Sequence, residues 1–237
     1  MTHEQGPKIA ARFRIAQSWW LASELVRRHP RLLVVETHPG GGMYDCLTLV
    51  DPGVAGPTTV LQLNRNGRIH VDPHNSTIEP VEWTKMLAAE NSHSVLRSVE
   101  GYARLRPPVP RAPTIGPRAM TYRVLAHILA CLVDDRSTWD ARSGCLDWGY
   151  GLGRHTDLDR FPSIRDGLHD VRESDLFGEP AYRYWLLHCG DEAVAVLDTD
   201  GWAHFADRQP VELVPAYRGN GSRLTSLIGS VFGHVLP

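Results

Sequence analysis

The chain has 237 residues, 42% of them hydrophobic and 22% charged, a balance typical of a folded globular protein and not of a disordered one. A formal net charge of −2 lacks the strongly basic footprint of a nucleic-acid-binding protein, and no apolar run reaches the roughly 18 residues of a membrane span. Cys46, Cys131, Cys145 and Cys189 lie far apart without a CxxC pair, which argues against a disulfide framework or a structural zinc site. The N-terminal stretch has no apolar core of a signal peptide, so a cytoplasmic location is expected.

In chain order, Phe13 to His29 reads as a helix, with Ile15, Trp19, Ala22 and Val26 on one stripe and Trp20 and Leu21 widening it. Pro30 ends it, because the residue before a proline is pushed out of the α region. "LLVVETHP" and "MYDCLTLV" read as strands on either side of Gly40 to Gly42. A hairpin follows in "TTVLQLNRNGRIHVD". A three-residue loop at Arg65-Asn66-Gly67 places Leu63 opposite Ile69 and Leu61 opposite Val71. A two-residue turn would mix the faces, so the three-residue loop is expected. Pro80 then begins a predicted helix through "VEWTKMLAAEN", and a second helix through "SHSVLRSVEGYARL" starts at Ser92 as N-cap.

Prolines 107, 108, 110, 113 and 117 stiffen the next stretch and mark a domain boundary. The order of elements then restarts. "MTYRVLAHILACLVDD" is a helix with Leu125, Ile128, Leu129 and Leu132 on its stripe, and "SGCLDWGYG" is a strand. The polar stretch from Arg154 to Pro180 reads as an insertion holding one short helix. "YRYWLLHCG" is a strand, "EAVAVLDTDGWAHFAD" a hairpin, and "SRLTSLIGSVFGHVL" a closing helix. The hairpins "LQLNRNGRIHV" and "AVLDTDGWAHF" share the Asn/Asp spacing, the Gly and a His three positions later, as two copies of one unit would.

Gly40 to Gly42 invite comparison with a phosphate loop, but such a loop opens a helix and carries GKS or GKT, whereas these glycines precede a strand and read as a turn. His38 with Asp45 or Cys46 is the alternative, a small hydrolase or thiol-dependent enzyme; the alternation around Cys46 instead suggests a buried thiol in a strand. His70, Asp72 and His74 lack a matching metal-binding cluster, and "DTDG" lacks the remaining ligands of a calcium loop. No catalytic residue, metal or cofactor is therefore expected. Trp19 and Trp20 differ by about 100° around a helix, so one of them should lie at the edge of the core, where it suits a partner surface.

The stretch "RIAQSWWLASELVRRHPRLLVVETHPGGGMYDCLTL" resembles the second TY-Chap family, peptide-binding chaperones related to type III secretion chaperones and YbjN proteins and common in actinobacteria. The resemblance is strongest over residues 12 to 51. It implies an α+β fold with an antiparallel sheet flanked by helices, and the restarted element order makes this two tandem helix–antiparallel sheet–helix units. These are expected over 1-105 and 118-237, with a linker at 106-117 and an insertion at 154-180. It also implies a non-catalytic module that holds a peptide or protein client on an apolar surface. Trp19, Trp20, His38, Gly41, Tyr44 and Trp83 are the expected contact residues. Neither nucleic acid nor membrane is expected as a partner, and the chain is expected as a monomer with an internal pseudo-dimer or as a homodimer. A stable structural or immunity-like partner protein is the other non-enzymatic alternative.

Overall fold

A computed structural model describes residues 5–37, 46–51, 58–64, 68–71, 81–82, 92–105, 114–134, 144–147, 159–165, 184–189 and 192–235. The chain divides into two units, Met1–Thr114 and Ile115–Pro237. The fold is α+β, each unit carrying a five-stranded antiparallel sheet and helices.

In the first unit, α1 spans Gln5–Arg28. It starts eight residues before the predicted helix, because the apolar stripe begins only at Ile15. It stops where predicted: the His29 N–H still donates to the Leu25 carbonyl at 2.7 Å, and Pro30 lies in a turn. The strands β1 (Leu33–Thr37), β2 (Cys46–Asp51), β3 (Thr58–Asn64), β4 (Arg68–Val71) and β5 (Val81–Glu82) form a meander in that order. Leu61 pairs with Val71 and Leu63 with Ile69, the register that a three-residue loop demands. Leu47, Leu49, Leu61, Leu63 and Ile69 are buried, so register follows the core face.

One predicted helix is corrected. Val81 and Glu82 pair with Ile69 and Arg68 as β5 instead of opening a helix after Pro80. Pro80 suits the start of an edge strand as well as the start of a helix, and the open side of β4 decides between them. The remainder of that predicted helix lies outside the described residues. Helix α2 runs Ser92–Tyr102 and buries Leu96, Val99 and Glu100.

The second unit repeats the plan. Helix α3 (Pro117–Asp134) precedes β6 (Gly144–Asp147), and a single turn, α4 (Pro162–Arg165), falls within the expected insertion. Then come β7 (Tyr184–Cys189), β8 (Glu192–Asp198), β9 (Trp202–His204) and β10 (Val211–Glu212), again a meander in chain order. Two helices close the unit, α5 (Leu213–Gly219) and α6 (Leu224–Phe232). The sequence pattern reveals α6 but not α5, whose Pro215 looks like a breaker yet sits in the first turn, where proline is tolerated.

The likeness of the sheets extends to detail. Val196 pairs with His204 and Leu197 with Ala203, the register obtained by laying residues 195–205 over 61–71. The ladder β2–β3 slips at Leu49/Val50, leaving Val60 unpaired just before Leu61. The ladder β7–β8 slips at Leu187/His188, leaving Val194 unpaired just before Ala195.

In the second sheet, Trp185, Leu187, Ala195, Leu197 and Ala203 share one face by strand alternation. Trp185 meets Tyr122 of α3 edge-on at 5.5 Å, so this face packs toward the helices. Tyr184, Leu186, Val196, Asp198 and His204 share the opposite face.

Candidate functional site

The doubled tryptophan sits in an enclosed stretch of α1. Ser18, Trp19 and every residue from Leu21 to Val26 are buried, while Trp20 between them is half-buried. The 100° step separates the two rings as expected, Trp19 into the core and Trp20 toward its edge. Within the enclosed stretch 18–26, Trp20 is therefore the side chain a partner could reach.

Of the remaining expected contact residues, His38, Gly41, Tyr44 and Trp83 lie outside the described residues. The enzymatic alternative rests on the same region: His38 and Asp45 lie outside it too, while Cys46 opens β2 and pairs with Thr37 and Asn64.

Near the end of α1, Glu100 of α2 gathers Arg28 and His29. Its carboxylate lies 2.7 Å from Arg28 Nε and accepts a bond from Arg28 Nη2 at 2.9 Å, and His29 Nε2 lies 2.8 Å away. All three side chains are largely buried, so this cluster ties α1 to α2 and is a fold element rather than a site.

A polar chain with the membership of a hydrolase triad occupies the second unit. Asp198 and His204 lie six residues apart across the β8–β9 loop, on the same sheet face. The loop brings Asp198 Oδ2 to 2.8 Å from His204 Nε2, and His204 Nδ1 lies 2.9 Å from Ser163 Oγ on α4. The ring is reversed relative to a serine hydrolase, where the nucleophile faces Nε2 and the carboxylate Nδ1. Asp198 is also committed to the turn: its Oδ1 accepts the Trp202 N–H at 2.9 Å and its carbonyl accepts the Thr121 hydroxyl at 2.6 Å. This geometry positions a loop and latches α4 to the sheet.

Around the latch, Phe161 and Ile164 are fully buried against Tyr184, Leu186, Ala193 and Val196. Pro162 and Ser163 between them are exposed. An exposed ion pair joins Arg160 to Glu192 beside this contact. On β9, two residues before His204, Trp202 continues the same face and is one of two large exposed apolar side chains among the described residues. The sequence shows the Asp–x–x–Gly turn, and the Asp-to-His spacing across it is the only signal of the relay. Ser163, 41 residues from His204, has no sequence signal.

Asp200 at the loop tip is pushed above the usual carboxyl pKa, chiefly by partial burial and then by the Asp198 charge, with Arg118 opposing. A carboxyl with a raised folded pKa binds its proton more tightly in the folded state, so stability falls as pH rises from about 3.8 through the raised value and stays reduced above it. Asp200→Asn, which mimics the protonated form, should therefore raise the unfolding midpoint at pH 7. The gain is expected to be a few tenths of a kcal/mol at this exposed position and to vanish near pH 3.5. Urea unfolding at the two pH values checks it; an equal gain at both would assign it to turn propensity instead.

Among the described residues no three His, Cys, Asp or Glu side chains gather to hold a metal ion, and no helix is long and apolar enough to cross a membrane. What the fold and these surfaces define is a tandem α+β protein with buried, structural polar clusters and aromatic side chains at core edges. The family model TY-Chap2, described as T3SS (YopN, CesT) and YbjN peptide-binding chaperone 2, matches residues 16–237. The chain belongs to this family of peptide-binding chaperones, as its "SWWLASEL" and "ETHPGGGMYDCL" segments suggest. No curated protein and no solved structure gives a significant match.

Proposed function

We propose that this protein is a non-catalytic holder of peptide or protein segments, acting in the cytoplasm on clients kept in an extended or partly folded form. Family membership across nearly the whole chain carries this conclusion. Two chaperone-like units, 1-105 and 118-237, are joined by the proline-rich stretch 106-117, the second unit bearing the insertion 154-180. In the first unit, client contact falls to Trp20 at the core edge, together with His38, Gly41, Tyr44 and Trp83. Trp19, being wholly buried, supports this surface from behind. An amphipathic aromatic at a half-buried position gives large contact area for little loss of rotamer freedom.

The full chain should retain a reduced, alkylated protein that cannot refold, and should suppress its aggregation in light scattering. Trp20→Ala should weaken that retention about tenfold, the loss of one aromatic contact of about 1.4 kcal/mol. Its own stability should change by only about 1 kcal/mol. If the chain retains no unfolded protein while a small molecule is turned over, the proposal fails.

A further inference from the structure

At three matched positions the two sheets differ in the polarity of the face turned away from Leu49, Leu61 and Leu63 in the first and from Leu187, Ala195 and Leu197 in the second. In the first sheet, the paired positions are Thr48, Gln62 and His70. The corresponding positions of the second sheet, identified by the shared register and bulge, are Leu186, Val196 and His204. Within the stretch expected as an insertion, Asp159–Arg165 lies on the apolar face of this second sheet. Phe161 and Ile164, three positions apart and hence on one side of a single turn, seal it. Arg160 meets Glu192 at the rim, and Ser163 meets His204. The cover thus consists of two apolar anchors, one exposed ion pair and one hydroxyl–imidazole bond. That is how a short amphipathic segment docks in a groove.

We propose that this face of the second sheet is a client-docking surface, and that Asp159–Arg165 is a resident stand-in for a client segment of the form Arg-Phe-x-x-Ile. The inference rests on the client-holding function above and specifies its recognition chemistry: an aromatic and an aliphatic side chain three residues apart, with a basic residue just before them to meet Glu192. A tethered occupant competes at an effective concentration in the millimolar range, so an outside segment binds weakly until the resident one is loosened.

The test uses the full chain and a fluorescein-labelled peptide with the sequence of residues 157–167, followed by anisotropy. Phe161→Ala with Ile164→Ala should bind this peptide at least tenfold more tightly than the unaltered chain does. A peptide with Ser in place of both anchors should not bind. Because the double variant could lose its fold, a second arm uses the exposed Glu192. Because Glu192→Arg also loosens the resident Arg160, the readout is the ratio of two peptides on one chain: the unaltered chain should prefer the Arg-bearing peptide severalfold over one carrying Glu at that position, and Glu192→Arg should reverse that preference. Equal binding of the anchor-less peptide, or no charge preference at Glu192, overturns the inference. So does a double variant that responds only by dimerising, with the segment exchanged between copies. An unfolded protein probe run alongside separates the two levels. Retention of that probe without competition by the peptide overturns this inference alone, whereas no retention of either overturns the client-holding function as well.

Discussion

Glu100→Ala should destabilise the first unit by about 3–5 kcal/mol, the cost of breaking a buried ion pair by removing one partner. Arg28 and Glu100 keep only 9% and 8% of their side-chain surface exposed, so neither charge is solvated once its partner is gone. The carboxylate engages Arg28 through two nitrogens and His29 through a third, and one truncation leaves all of them without it. The charge itself contributes little net stability, since assembling the pair costs desolvation. Arg28→Met combined with Glu100→Leu should accordingly recover most of the loss. Arg31→Ala is the control: its contact with Asp51 is 3.6 Å long and the Arg31 side chain is 70% exposed, so the change should stay within about 0.5 kcal/mol. Denaturant unfolding of the three variants decides the matter; a Glu100→Ala loss no larger than that of Arg31→Ala would show the cluster to be solvated.

Gly201→Ala should cost the second unit roughly 2–5 kcal/mol through two separable terms. Its φ of +85° is left-handed, which strains any residue with a Cβ by roughly 1–2 kcal/mol. The added Cβ would also stand 2.7 Å from the Pro117 Cβ and 2.9 Å from its Cα, a collision with backbone that cannot rotate away and that adds roughly 1–3 kcal/mol. The residue is fixed from other sides as well, since its N–H donates to the Asp198 carbonyl and its carbonyl accepts from Leu213 N–H. Gly221 isolates the first term: its φ is +65° and nothing lies within 4 Å of where an alanine methyl would sit, so Gly221→Ala should show the dihedral cost alone. Similar losses for the two alanine variants would remove the collision from the account.

Both effects involve contacts that sequence patterns do not announce. Glu100 and Arg28 are 72 residues apart, and nothing in "SVEGY" distinguishes a buried anchor from a solvated glutamate. The glycine was legible as a turn residue, because Asp-Thr-Asp-Gly between apolar runs implies positive φ. Its closeness to Pro117 was not, because that depends on where α3 begins against the loop. The candidate site divides in the same way. That Trp19 and Trp20 point apart follows from helix geometry, and which of them is buried follows only from packing. The face beneath Asp159–Arg165 was invisible in sequence, since the polar stretch around Phe161 and Ile164 conceals these two anchors among prolines, glycines and charges.

The residues alone therefore determined the α+β class, the end of α1 at Pro30, the register of the β3–β4 hairpin and the restart of the element order. Each depends on interactions within a few residues or on a periodicity that has to keep one face apolar. Tertiary structure decided that Val81–Glu82 joins β4, that α5 forms around Pro215, that Glu100 holds α1 and that Phe161 and Ile164 cover the second sheet. These depend on which surface is left open when distant segments meet, and the chain's local preferences are nearly balanced there until burial settles them.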